Sequence, residues 1–183
     1  MENSEQNIQN EPVYSMNTLE FLRVAHEYCL FIENSPEKNG EEIMQFYQKI
    51  CSLLYLKTLL LPDIVPEYPE AAEHFVTEEE RETIFNQLRQ KFGTADEFWY
   101  NDPDNRDVND LIKGSLAESL TDIYQDLKDF VLLYRKNSRA AKEAAVSGIK
   151  YLFYTRWSYS ILHSITHVHQ LLNPITNNPD EGF

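Results

Sequence analysis

The stretch from Ser138 to Leu172 reads as one long helix, laden with aromatic and aliphatic side chains and carrying a single polar stripe. Phe153, Trp157, Tyr159, Ile161, Ile165, Val168 and Leu172, with Tyr151, Leu152, Tyr154 and Leu162 between them, surround most of its circumference, which predicts a largely buried helix. Against this background Arg156, Ser160, His163 and His167 stand at i, i+4, i+7 and i+11 and share one edge. A segment of this kind needs neighbours on most sides, so the rest of the chain is expected to pack around it. Ser147–Gly148 marks the expected bend, because glycine inside a helix is unfavourable.

The chain has the means to build those neighbours. With 183 residues, 42% hydrophobic and only five of them glycine, it can bury one substantial core and is too apolar to stay disordered. The net charge of −14 repels phosphate backbones and anionic lipid, so neither nucleic acid nor a membrane surface is an expected partner. The apolar run at 151–172 carries Arg156, His163, His167 and His169, which are costly in a bilayer and argue for a core helix. The opening MENSEQNIQNEPVYSM has neither the basic nor the apolar region of an export signal, and Cys29 and Cys51 lack C-x-x-C spacing. Both features predict a cytoplasmic protein with reduced thiols.

Helical periodicity divides the chain further. Residues 1–16 read as a mobile polar tail, 17–173 as one helical domain and 174–183 as a second tail. Asn17 with Glu20 resembles a capping box opening a first helix, which closes at Asn34-Ser35-Pro36. A second helix runs from Gly40 to the residues before Pro62. Thr77 with Glu80 opens a third, which Gly93 closes. A fourth runs from about Ser115 to about Lys136, and the long helix follows. The proline-rich stretch 62–76 and the Asp-rich stretch 94–110 read as linkers, the latter holding the aromatic cluster Phe98-Trp99-Tyr100. The predicted fold is all-α: an up-and-down bundle of about five helices around a long C-terminal helix.

Three groupings carry candidate chemistry. Glu118, Asp122, Asp126 and Asp129 share one face of the fourth helix, opposite Leu116, Leu120, Ile123, Leu127, Phe130 and Tyr134. That geometry predicts a solvated acidic face; the alternative is a structural charge pair in which Asp122 or Asp126 meets Arg156. His163 and His167, one turn apart, form an H-x-x-x-H that can hold a metal if His26 or a carboxylate supplies a third ligand; a solvent-exposed rim is the plainer alternative. The linker Asp102–Asp107 begins like a calcium loop but lacks its turn glycine, and Lys113 stands where a glutamate is required. There is no E-x-x-H, G-x-G-x-x-G, P-loop or G-x-S-x-G.

Leu54-Tyr55-Leu56-Lys57 leading into Leu61-Pro62, Asp122-Ile123-Tyr124-Gln125-Asp126-Leu127-Lys128, and Arg156-Trp157 with His169-Gln170-Leu171-Leu172 together resemble a bacterial, all-helical domain family of unknown function. The resemblance covers about Leu19 to Leu172 and implies a single-domain fold, without bringing catalytic residues or a ligand. It also favours a specific role for Asp122 or Asp126 over an interchangeable solvated face.

The leading functional expectation is a non-catalytic protein-interaction module without a cofactor, with Phe98, Trp99 and Tyr100 as the contact patch unless these rings simply close the core. The alternative is a divalent-metal enzyme similar to the DinB-like bundles, with His163, His167 and His26 as ligands. The metal reading expects near-stoichiometric zinc, iron, manganese or nickel in protein purified without a chelator or a nickel column. Absence of metal on elemental analysis, with stability unchanged by a chelator, removes it.

Overall fold

A computed structural model describes residues 11–101 and 111–174. The chain is an all-α, up-and-down bundle: α1 (Met16–Glu33), α2 (Gly40–Leu59), α3 (Glu78–Phe92), α4 (Leu116–Tyr134), and a C-terminal helix made of α5 (Arg139–Leu152) and α6 (Ser158–Leu172) joined by a π-helical turn (Phe153–Trp157). Within the stretch 94–110, read from the sequence as a linker, residues 97–101 instead form a strand, β1 (Glu97–Asn101), which pairs with β2 (Leu111–Ser115) in a two-stranded antiparallel ribbon, with Phe98 opposite Gly114 and Tyr100 opposite Ile112. The aromatic and β-branched side chains of both segments suit a pleated, half-buried surface, and pairing across the chain overrides the surrounding turn-forming aspartates. The calcium-like stretch 102–107 lies outside the described residues.

Local chemistry sets most helix ends. Asn39–Glu42 and Thr77–Glu80 form complete capping boxes, and Gly93 ends α3 at φ 55°, a conformation only glycine adopts without strain. The cap of α1 is Ser15, which accepts from the Thr18 amide, and not Asn17. Glu20, freed from capping, pairs with Lys57 of α2. The chain is already packed before Asn17: Pro12–Tyr14 form a 3-10 turn, Val13 is buried, and its carbonyl accepts from the Tyr134 hydroxyl.

The most enclosed element is α4, which packs against α1, α3 and α5. Tyr28 of α1 donates to the Leu120 carbonyl, and Phe21 meets Phe130 edge-on. The C-terminal helix packs through α6 on α2, where Tyr47 and Ser164 hydroxyls bond at 2.7 Å. This helix buries one side only: Tyr151, Tyr154, Tyr159 and Leu162 are exposed, so its apolar circumference overstates its burial. Among the described residues no helix is long and apolar enough to cross a membrane.

The buried series Ala145, Ile149, Phe153, Trp157, Ile161 advances by four residues at each step. In a regular α-helix that series drifts about 40° per step, or about 160° in all, and leaves the core. The π turn absorbs the drift: the Ser158 amide reaches back five residues to the Phe153 carbonyl, and Trp157 is 1% exposed. The irregularity therefore falls at 153–157, while Ser147–Gly148 lies inside regular helix. Trp157→Ala is expected to cost about 3–5 kcal/mol in chemical denaturation, through loss of the buried ring, whereas Tyr159→Ala stays within about 0.5 kcal/mol of the wild type. Equal effects would contradict this division of inside and outside.

Candidate functional site

Two sites border α4. The first is a groove of about 450 Å³ between the ribbon, α4 and the C-terminal helix. It is lined by Tyr100, Lys113 and Gly114 from the ribbon, Ser119 and Asp122 from α4, and Arg156, Tyr159, Ser160 and His163 from the C-terminal helix. Most of the polar stripe read from the sequence therefore faces this opening. Within the ribbon Gly114 lets the Phe98 ring lie across its strand partner, since a Cβ there would sit 2.5 Å from that ring.

The two stripe histidines hold the ribbon. His163 stacks on Tyr100 at 4.0 Å between ring centres and His167 on Phe98 at 5.1 Å, while His167 Nε2 donates to the Ala95 carbonyl at 3.0 Å. Of the proposed patch, Phe98 is thereby buried and Tyr100 partly covered, while Trp99, pointing to the opposite face of the ribbon, remains 61% exposed. His26 lies on α1, and among the described residues no three His, Cys, Asp or Glu side chains are grouped to hold a metal ion. The N-terminus of α4 has its own partners: Asp96, itself buried, accepts from the Ala117 amide with its carboxylate and from the Leu116 amide with its carbonyl. Burial pushes the Cys29 thiol up to about 12 and also raises that of Cys51, so both serve as small apolar packing groups.

The acidic face of α4 is covered over its C-terminal half, while Glu118 is exposed and Asp122 half-buried. Asp126 and Asp129 are only 6% and 8% exposed, contrary to the expected solvated face, because the 63–76 connection and the π turn close over them. Arg156 Nη1 lies 3.2 Å from Asp126 Oδ1, and its Nη2 lies 3.9 Å from Asp122. Asp122 also receives Arg81 of α3 at 2.6 Å. Asp129 accepts from the Phe75 and Val76 amides and pairs with His74. Neither Arg81 nor His74 was singled out by the sequence; the one clue was Arg81 standing alone among the glutamates of the α3 N-terminus.

Asp126 is the strained member of this group. Its Oδ2 is buried without a protein partner, as is Trp157 Nε1. Burial pushes its carboxyl up to about 6; Arg156 opposes the rise, Asp122 and Asp129 add to it, and His74 opposes. The folded chain thus holds this proton more tightly than the unfolded chain does, so its contribution to stability is complete in acid and lost as pH rises through about 6. Between about pH 4 and pH 7 the wild type should lose roughly 1–3 kcal/mol relative to Asp126→Asn, which has no such proton. Parallel urea-denaturation profiles for the two proteins across that interval would refute the assignment.

A family model described as "Domain of unknown function (DUF5063)" matches residues 12–173. The crystal structure of protein BF1032 from Bacteroides fragilis, a structural-genomics target, is similar at 26% identity and a TM-score of 0.79, over 90% of this chain and 97% of that one. No curated protein matches significantly.

Proposed function

Because the chain belongs to the DUF5063 family, whose description assigns no activity, we propose a role from its surface: it is a non-catalytic module that binds another protein through the ribbon and the adjoining face of α6. The observation that carries this reading is Trp99, 61% exposed on a ribbon whose other face is tied down by two aromatic stacks. A rigidly mounted, open tryptophan offers large contact area at little entropic cost, and Trp, Tyr and Arg dominate binding hot spots. Trp99 and Leu111 border one groove and Tyr159 and Arg156 another, and the two grooves meet at the Tyr100–His163 stack.

The partner is a protein with a basic surface. The chain's charge of −14 would steer such a surface toward it and repel acidic ones. Trp99→Ala with Tyr159→Ala should reduce retention of a partner captured from native lysate by about tenfold or more, a loss of at least ~1.4 kcal/mol. The melting temperature should stay near that of the wild type, and raised salt should weaken capture by the wild-type chain. Equal capture by the wild type and the double variant, or capture indifferent to salt, would overturn the proposal.

A further inference from the structure

Further along the same face of α4, beyond the ribbon groove toward the helix's C-terminal end, lies a half-open cavity of about 70 Å³ between α4, α5 and the 72–74 segment. Its walls are mostly apolar, from Phe130 and Leu133 of α4 and Ile149 and Leu152 of the C-terminal helix, with Asp126, Asp129, Glu73 and His74 as the polar residues of its lining. Gly148 lines it and borders open space, since a Cβ there would meet nothing within 4 Å. We propose that this cavity is a site for a primary alkylammonium group, with its –NH3+ on the unpartnered Asp126 Oδ2 and its short methylene stem against the apolar walls.

Charge, size and wall chemistry point the same way. Three carboxylates, Asp122, Asp126 and Asp129, face only two guanidinium groups, Arg81 and Arg156, which leaves one negative charge in excess. Asp126 is paired through one oxygen with Arg156 and Asp129 is bonded through both of its oxygens to His74 and two backbone amides, so the excess is shared by these two neighbours, and Asp126 Oδ2 is the oxygen left without a protein partner. The cavity has the room of about two waters, enough for an ammonium nitrogen and one or two carbons, with a longer stem leaving through the mouth. A divalent ion requires about six oxygen ligands, whereas the carboxylates of this lining are largely committed, Asp126 to Arg156, Asp129 to the Phe75 and Val76 amides and Glu73 to Lys136, and the remaining walls are apolar. An ammonium group needs a carboxylate and tolerates an apolar stem.

The same group occurs on a free alkylamine and on a lysine side chain of another protein, and the test separates them. Wild-type chain at neutral pH is titrated with n-butylammonium and with Nα-acetyl-lysine amide, following the amide resonances of Gly148 and Ile149, with n-butanol as the uncharged control. Saturable shifts are expected with a charged probe and not with butanol. Response to n-butylammonium alone assigns the site to free amines; response to the lysine compound assigns it to a protein lysine. Affinity should fall at least tenfold in Asp126→Asn. It should fall similarly in Gly148→Leu, which fills the cavity and leaves the carboxylate in place. Binding should also weaken as pH falls below about 6, where Asp126 takes up a proton among Asp122, Asp129, Glu73, His74, Arg156 and Lys136. Absence of saturable shifts with both charged probes, or shifts equal in Asp126→Asn and wild type, would overturn the proposal.

Discussion

Arg156 and Trp157 are adjacent in sequence and must satisfy opposite demands. The guanidinium reaches the buried carboxylates of α4, and the indole is enclosed in the core. A buried carboxylate without its cation is costly, and a large apolar ring left in water forfeits its burial, so the rotation of the C-terminal helix about its own axis is held from both sides. The π turn at 153–157 brings the buried residues before and after it onto a common side. With that rotation set, His163 and His167 come beneath the ribbon and the open face of α6 takes its place beside Trp99. Every candidate site in the molecule is downstream of this arrangement.

The two ends of this face of α4 differ in character. Toward the ribbon, the polar stripe, tyrosine hydroxyls and Lys113 give a wet, mixed-charge groove flanked by exposed rings, suited to a broad contact. Toward α5, alanines, leucines and Gly148 give a narrow apolar cavity with a carboxyl group in its lining, suited to a small cation. Asp126 lies between the two, with one oxygen toward Arg156 and the other unpartnered. Its burial therefore links the stability of the fold to the occupancy of the cavity. The histidines, whose spacing first suggested a metal, act here as flat surfaces on which Tyr100 and Phe98 rest.

Much of the helix pattern was legible in local chemistry. The Thr77–Glu80 box, the Gly93 stop and the Pro62 break lie within a few residues of what they control, so spacing alone revealed them. The irregularity of the C-terminal helix was misplaced at Gly148, because the series Ala145, Ile149, Phe153, Trp157 and Ile161 stands out only once burial shows that these five share the core side. The ribbon was hidden, because β1 gains its hydrogen bonds from a strand about ten residues away and its inner rings from α6. Burial of Asp126 and Asp129 was hidden for a related reason: periodicity shows which residues share a face, but not whether a loop and an arginine will cover it.

By itself, then, the amino-acid order determined the all-α class, the number of main helices, most of their ends and the stripe Arg156–His167, since each follows from interactions within one helix or one turn. Tertiary packing alone decided that Asp126 and Asp129 of α4 are buried, that the histidines stack under a ribbon, that Trp99 faces outward while Phe98 faces inward, and that one oxygen of Asp126 is without a protein partner. Those outcomes depend on which surfaces meet across the bundle. Desolvation and charge pairing act through space between segments far apart in the chain, and no local pattern encodes them.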